Sequence, residues 1–181
     1  MRVALVDRGP LCREASGVNA GTLTLHMTRA ALIPYAMRAW RMWMEAEQWL
    51  GMGVLATHVP GLTLAFTEAE CEMVELRAQA RRAHGAPIEV ISAERARAIE
   101  PGVHPGLLKA GYCEIDGFAS AYLTGRAFRH ALERAGVTVL ENTPVHAIDS
   151  GDAGHKLQYM SAATKQTMQT RRVVWACGVW I

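Results

Sequence analysis

Arg2-Val-Ala-Leu-Val-Asp7 and, beyond the turn dipeptide Gly9-Pro10, Ala15-Ser-Gly-Val-Asn-Ala-Gly21 decide how this chain reads. The first stretch is short and apolar on both faces, which predicts a buried parallel strand that ends in an acid. An acid at the carboxyl end of such a strand can accept hydrogen bonds from the ribose of a dinucleotide. The second stretch is small, polar and glycine-rich, a loop whose backbone N–H groups can come close to a pyrophosphate or a flat ring. Each also has an ordinary reading: a polar residue leaving any sheet, and a plain connection.

Working outward, the apolar spacing predicts a helix over about Thr28 to Leu50. Ala31, Tyr35, Trp40, Trp43 and Trp49 supply its apolar faces, and Gly51 and Gly53 close it. Gly61 to Thr67 alternates, with Leu62, Leu64 and Phe66 on one face, as in a sheet with one exposed side. Glu68 to His84 is a charged amphipathic helix ended by Gly85. Ser92 caps a short helix that stops before Pro101, and Leu107 to Ile115 is a second strand. After Asp116-Gly117, Ser120 caps a helix to about Ala135 and Val137 to Leu140 is a strand. Val145 to Ile148, Lys156 to Met160 and Arg171 to Trp175 are further strands, with a turn over Asp149 to Gly154. The pattern is that of a βα-type domain, residues 1–52 and 118–181, interrupted by an antiparallel insertion at 53–117.

Composition narrows the class. Of 181 residues 50% are hydrophobic and 20% charged, enough to bury a core. Nineteen Lys and Arg against seventeen Asp and Glu leave a net charge of +2, too little and too evenly spread for a nucleic-acid partner. The longest strongly apolar stretch, Val173 to Ile181, falls well short of the roughly 20 residues of a membrane span. No secretory signal is visible at the opening. Cys12, Cys71, Cys113 and Cys177 show no metal-knuckle or redox spacing and read as reduced thiols, which points to the cytoplasm.

Taken in order, these pieces resemble the FAD-dependent oxidoreductases of the D-amino-acid oxidase, glycine oxidase and sarcosine oxidase group. Asp7, with Arg8 beside it, matches the family's ribose-binding acid, more often Glu. Ala15-Ser-Gly-Val-Asn-Ala-Gly21 matches the loop along pyrophosphate and flavin. Gly117-Phe-Ala-Ser-Ala121 matches the return to the cofactor domain, with Ala121 where the family has Pro. Thr143-Pro-Val145 matches the strand whose Val backbone contacts adenine. Val174-Trp-Ala-Cys-Gly-Val-Trp180 matches the segment near the ribityl chain.

The resemblance implies an α/β fold: an incomplete Rossmann-like FAD-binding domain interrupted by a partial antiparallel-sheet substrate domain. It implies cofactor-binding roles for Asp7, Arg8, Ala15, Ser16, Asn19, Ala20, Gly21, Val145, Ala176, Gly178 and Trp180. The family's Gly-x-Gly-x-x-Gly loop and its C-terminal part have no counterpart here, so the chain reads as an internal portion. FAD binding by it alone is then expected to be weak or absent. The implied reaction takes a hydride equivalent from the carbon beside a small substrate amine or amino acid to flavin N5, after which the imine hydrolyses. No catalytic residue is assigned. His26 and Arg29 follow the flavin-side loop and are candidates for positioning substrate, although His26 also reads as a satisfied helix-entry residue. Cys12 is not at the family's site of covalent flavin attachment, and no metal site is expected. The alternative is a non-catalytic fragment, or a subunit that folds against a second chain supplying the missing segments.

Overall fold

The computed structural model describes residues 1–179. β1 (Ala4–Val6) meets a parallel partner late in the chain, as the sequence predicts, but it is half-buried rather than buried. Its sheet contains two strands among the described residues, so part of its surface has no cover. A long loop leads to β2 (Thr22–Leu23).

The helix expected over Thr28 to Leu50 is broken. A 3₁₀ turn at Ala30–Leu32 precedes α1 (Ile33–Met44), which starts with Pro34 in its first turn, where a missing N–H costs nothing. At Glu45 the backbone leaves helical geometry (φ −97°, ψ 15°) and α2 (Ala46–Leu50) follows as a separate helix. Gly51 closes α2 at φ 74°, a conformation that suits glycine. The break lets Ala46 and Leu50 enter a core cluster with Val54, Ala119 and Ala127. Tyr35 and Trp49, expected on the apolar face, are exposed instead (74% and 41%).

The insertion begins with β3 (Thr57–His58) and β4 (Gly61–Ala65). Next comes α3 (Glu68–Arg82), whose N-terminus is a capping box: Thr67 Oγ1 accepts from the Glu70 N–H, and the Glu70 carboxylate accepts from the Thr67 N–H. The N–H groups of Phe66 and Thr67 hold the Glu70 carboxyl below its ordinary range. β5 (Ile88–Ser92) leads directly into α4 (Ala93–Ile99), capped by Ser92 as expected, and β6 (Lys109–Cys113) completes an antiparallel sheet in the order β4-β6-β5.

The alternation in β4 holds: Leu64 and Phe66 are exposed on one face, while Ala65 on the opposite face is buried. The small residues face α3, which therefore packs close; a Cβ at Gly111 would lie 3.3 Å from Val74. Leu62 turns to the other face and packs beside Ile91, Ala96, Leu107 and Ala110.

β7 (Gly117–Phe118) is the centre of a small sheet, β2-β7-β3, that joins the first loop to the insertion. Ser120 caps α5 (Ala121–Arg134), Gly136 adopts φ 68° beyond its end, and β8 (Thr138–Leu140) runs parallel to β1. β9 (Val145–Gly151), β10 (Gly154–Ser161) and β11 (Thr164–Thr170) form an antiparallel meander.

β11 is not among the expected strands, and the expected strand Arg171 to Trp175 does not form. Polar Thr164–Thr170 pairs with β10 over seven residues, whereas Val174 and Trp175 stay exposed and have no ladder to join among the described residues.

The broken helix yields a direct test. Leu50→Ala should cost about 2–5 kcal/mol in chemical unfolding, because it empties a packed site. Tyr35→Ala should change stability by no more than about 0.5 kcal/mol. A continuous helix with Tyr35 on its buried face would give comparable losses.

Candidate functional site

Two parallel strands end at the same place. β1 runs into Asp7 and β8 into Glu141 to Thr143, and the two exits are laced together. The Asp7 N–H donates to Leu140 O (2.9 Å), the Thr143 N–H to Asp7 O (2.8 Å) and the Asn142 N–H to Gly9 O (3.2 Å). One carboxylate oxygen of half-buried Asp7 accepts from the Gly9 N–H at 2.9 Å, which fixes the carboxylate's direction at the strand end. In open α/β sheets, ligands bind in this position, outside the carboxyl ends of parallel strands. Val145 lies two residues past the buried Thr143 and is thus brought to the same end.

Glu141, which sequence reasoning passed over, ties this strand end to the loop entrance and to α5. Its carboxylate accepts from the Leu11 N–H (2.6 Å) and from Arg129 of α5 (2.6 Å). The loop then doubles back on itself. The N–H groups of Gly17 and Val18 donate to Glu14 O. Asn19 staples the turn, its Nδ2 donating to Ser16 O (2.8 Å) and its Oδ1 accepting from the Gly21 N–H (2.8 Å). A Cβ at Gly17 would overlap the Cys12 carbonyl, and one at Gly21 (φ 69°) would overlap the Ala119 carbonyl. The glycines are therefore required by the loop's own closure before any ligand is considered.

The result is a self-braced, solvent-facing loop in which Ala15, Ser16 and Ala20 are exposed, beside a fixed carboxylate. This fits the adenosine and pyrophosphate end of FAD: the carboxylate can accept from ribose hydroxyls, and the exposed loop can approach phosphate.

Other sequence candidates are not gathered here. Ala176 and Gly178 lie in exposed, irregular chain, and Trp180 lies outside the described residues. Arg29 is exposed, and Arg8, which stays at the strand end between Asp7 and Gly9, is exposed as well. His26 is drawn away from the loop surface: its ring Nδ1 hydrogen-bonds the buried carboxylate of Asp116. Asp116, only 1% exposed, marked in sequence merely the point after which helix and strand resume. No group of three or more metal-ligating side chains occurs among the described residues.

Two thiols sit in this region. Burial, reinforced by the negative charge of Asp7, pushes the Cys12 thiol up, so it stays protonated and a poor nucleophile. Burial and the neighbouring Asp116 push Cys113 from 9.0 up to about 12. A raised folded pKa stabilises the protein below the unfolded value, and that stability is lost as pH rises between 9.0 and about 12. Maleimide labelling of the native protein should therefore modify exposed Cys177 first, Cys12 more slowly, and Cys113 only on unfolding. Native labelling of Cys113 as fast as Cys177 would contradict the packing.

A model of the FAD dependent oxidoreductase (DAO) family matches residues 1–181. Glycine oxidase of Geobacillus kaustophilus (strain HTA426) is 28% identical over 187 residues, spanning 99% of this chain and 48% of that protein. The crystal structure of glycine oxidase from Geobacillus kaustophilus superposes with a TM-score of 0.86 at 27% identity, over 99% of this chain and 49% of the other. L-alpha-glycerophosphate oxidase from Mycoplasma pneumoniae, solved with FAD bound, gives 0.76 at 22% identity, over 86% and 42%. L-amino acid deaminase from Proteus myxofaciens gives 0.86 at 15%, over 99% and 41%. The last two are likenesses of fold alone. The chain spans about half the length of the curated relative it matches. No helix among the described residues is long and apolar enough to cross a membrane. With the family match running from its first residue to its last, this chain belongs to the FAD-dependent oxidoreductases of the DAO family.

Proposed function

We propose that the protein acts as part of an FAD-dependent oxidoreductase that oxidises the C–N bond of a small amine or amino acid, of the glycine, sarcosine or D-amino-acid type. On this reading, residues 1–52 and 118–181 serve the cofactor and residues 53–117 contribute to the substrate side. The observation that carries it is the Asp7 carboxylate, fixed by the Gly9 N–H at the carboxyl end of the β1–β8 pair and flanked by the stapled 15–21 loop.

FAD, when bound, would accept the hydride that leaves the carbon next to the amine nitrogen. The chain's own work is binding and orientation. Asp7 accepts from ribose hydroxyls, and Ser16, Ala20 and Gly21 present loop surface to the phosphates. The Val145 backbone borders the adenine end. Arg29 is exposed after the loop and is available to a substrate carboxylate.

Oxidation of glycine, sarcosine and D-alanine by the protein supplied with FAD, followed with an artificial electron acceptor and with oxygen, separates dehydrogenase from oxidase chemistry. For the cofactor, FAD titrated against the full chain should bind about tenfold more weakly, or worse, to Asp7→Ala. Loss of a hydrogen bond to a charged group is worth about 1.5–3 kcal/mol. Asp7→Glu should retain most of the affinity. Equal affinity in all three would remove Asp7 from the site.

A partner-dependent subunit is the second reading. It is favoured by the second edge of β1, which is unpaired among the described residues, and by exposed Val174 and Trp175. Sedimentation should then show concentration-dependent association; a monomer at every concentration would set this reading aside.

A further inference from the structure

Asp116 is buried at the point where four segments of the chain meet. Its carboxylate accepts from the Leu25 N–H at 2.7 Å and bonds the His26 ring through Nδ1. Its carbonyl oxygen accepts from the Val59 N–H at 2.9 Å, just before β4 begins. Its neighbour Gly117 pairs with Leu23 on one side and His58 on the other. Arg81 of α3 adds a bond from Nε to Thr28 O at 2.7 Å. A Cβ at Gly61 would overlap both the Asp116 carboxylate and the His26 ring, so glycine there makes room for the pair. Residues 22–28 form the exit of the 15–21 loop, and Asp116, Gly117 and Arg81 tie them to the antiparallel insertion.

We propose that Asp116 and His26 are a positioning pair: the buried carboxylate locks the His26 ring and the Leu25 amide so that the cofactor-side loop keeps one placement against the β4-β6-β5 sheet. The inference takes from the proposed function only that the 15–21 loop faces FAD. The pair itself is defined by geometry. In this role His26 donates from Nδ1 to a carboxylate that only accepts. His26 has a side chain 10% exposed and touches no reacting atom in this role.

The test uses the full chain. In wild type, imidazole ¹⁵N spectra at neutral pH should show His26 with its proton on Nδ1. Asp116→Asn turns a donor toward the ring and should move that proton to Nε2. In hydrogen exchange, amides of residues 17–26 should exchange about tenfold faster, or more, in His26→Ala than in wild type, the loss of about one hydrogen bond's protection. Amides within α3 and β5 should be unchanged. His26→Asn, whose amide can still donate to the carboxylate, should restore part of the protection. Should His26→Ala fail to fold, the comparison between Asp116→Asn and His26→Asn carries the test. An Nε2–H tautomer in wild type, or loop exchange unaltered in every variant, would overturn the pair's role. Because neither readout needs FAD, a failed flavin titration would count against the function and leave this result standing.

Discussion

The buried carboxylate of Asp116 sets the geometry on which the rest depends. A carboxyl group with 1% exposure is tolerable only if its oxygens are hydrogen-bonded, and here an amide and an imidazole bond them. Removing one partner so that a buried polar group is left unsatisfied typically costs about 1–3 kcal/mol. The chain therefore crosses between its two halves in one arrangement. Leu25 and Ile33, from the first half, can then share a core cluster with Ala78, Ile88 and Cys113 of the insertion.

From that pin the loop runs back to the parallel strand ends. Nearly every polar group that shapes the loop is used within it: Glu14 O, Ser16 O, both ends of the Asn19 amide, and the Glu141 carboxylate at its entrance. A loop braced this way is ordered before it meets a ligand, which reduces the entropy lost on binding. It also alters the meaning of its glycines. They are needed for contact with Cys12 and Ala119, and α5 joins the same packing, since a Cβ at Gly125 would stand 2.9 Å from Cys12 Cβ.

Much of this was legible in the sequence, because local rules acted alone there. The caps Ser92 and Ser120 both hold, and so does the parallel nature of the strand before Asp7. Where reading failed, tertiary packing prevailed. Nothing in the local pattern around Glu45 foretells a break, which exists so that Leu50 can reach Val54 and Ala127. β11 carries Met168 as its one large apolar residue, opposite Leu157, so polarity concealed it. Its hairpin turns at Ala162 and Ala163, both at positive φ (47° and 62°), without the Asn-Gly pair that normally signals such a turn. Arg171 to Trp175 has strand composition, but pairing is a property of a neighbour. Asp116 and Glu141 were missed because their partners lie 91 and 130 positions away.

Central to the proposed function is the place where FAD meets this chain, the carboxyl end of β1 and β8. Hydrogen exchange with and without added FAD tests that placement most directly, because each amide reports its own position. New protection is expected at residues 7–21 and 141–145, with α3 and β5 unchanged. Protection confined to the α3–β5 side, or absent from residues 7–21 at saturating FAD, would contradict it.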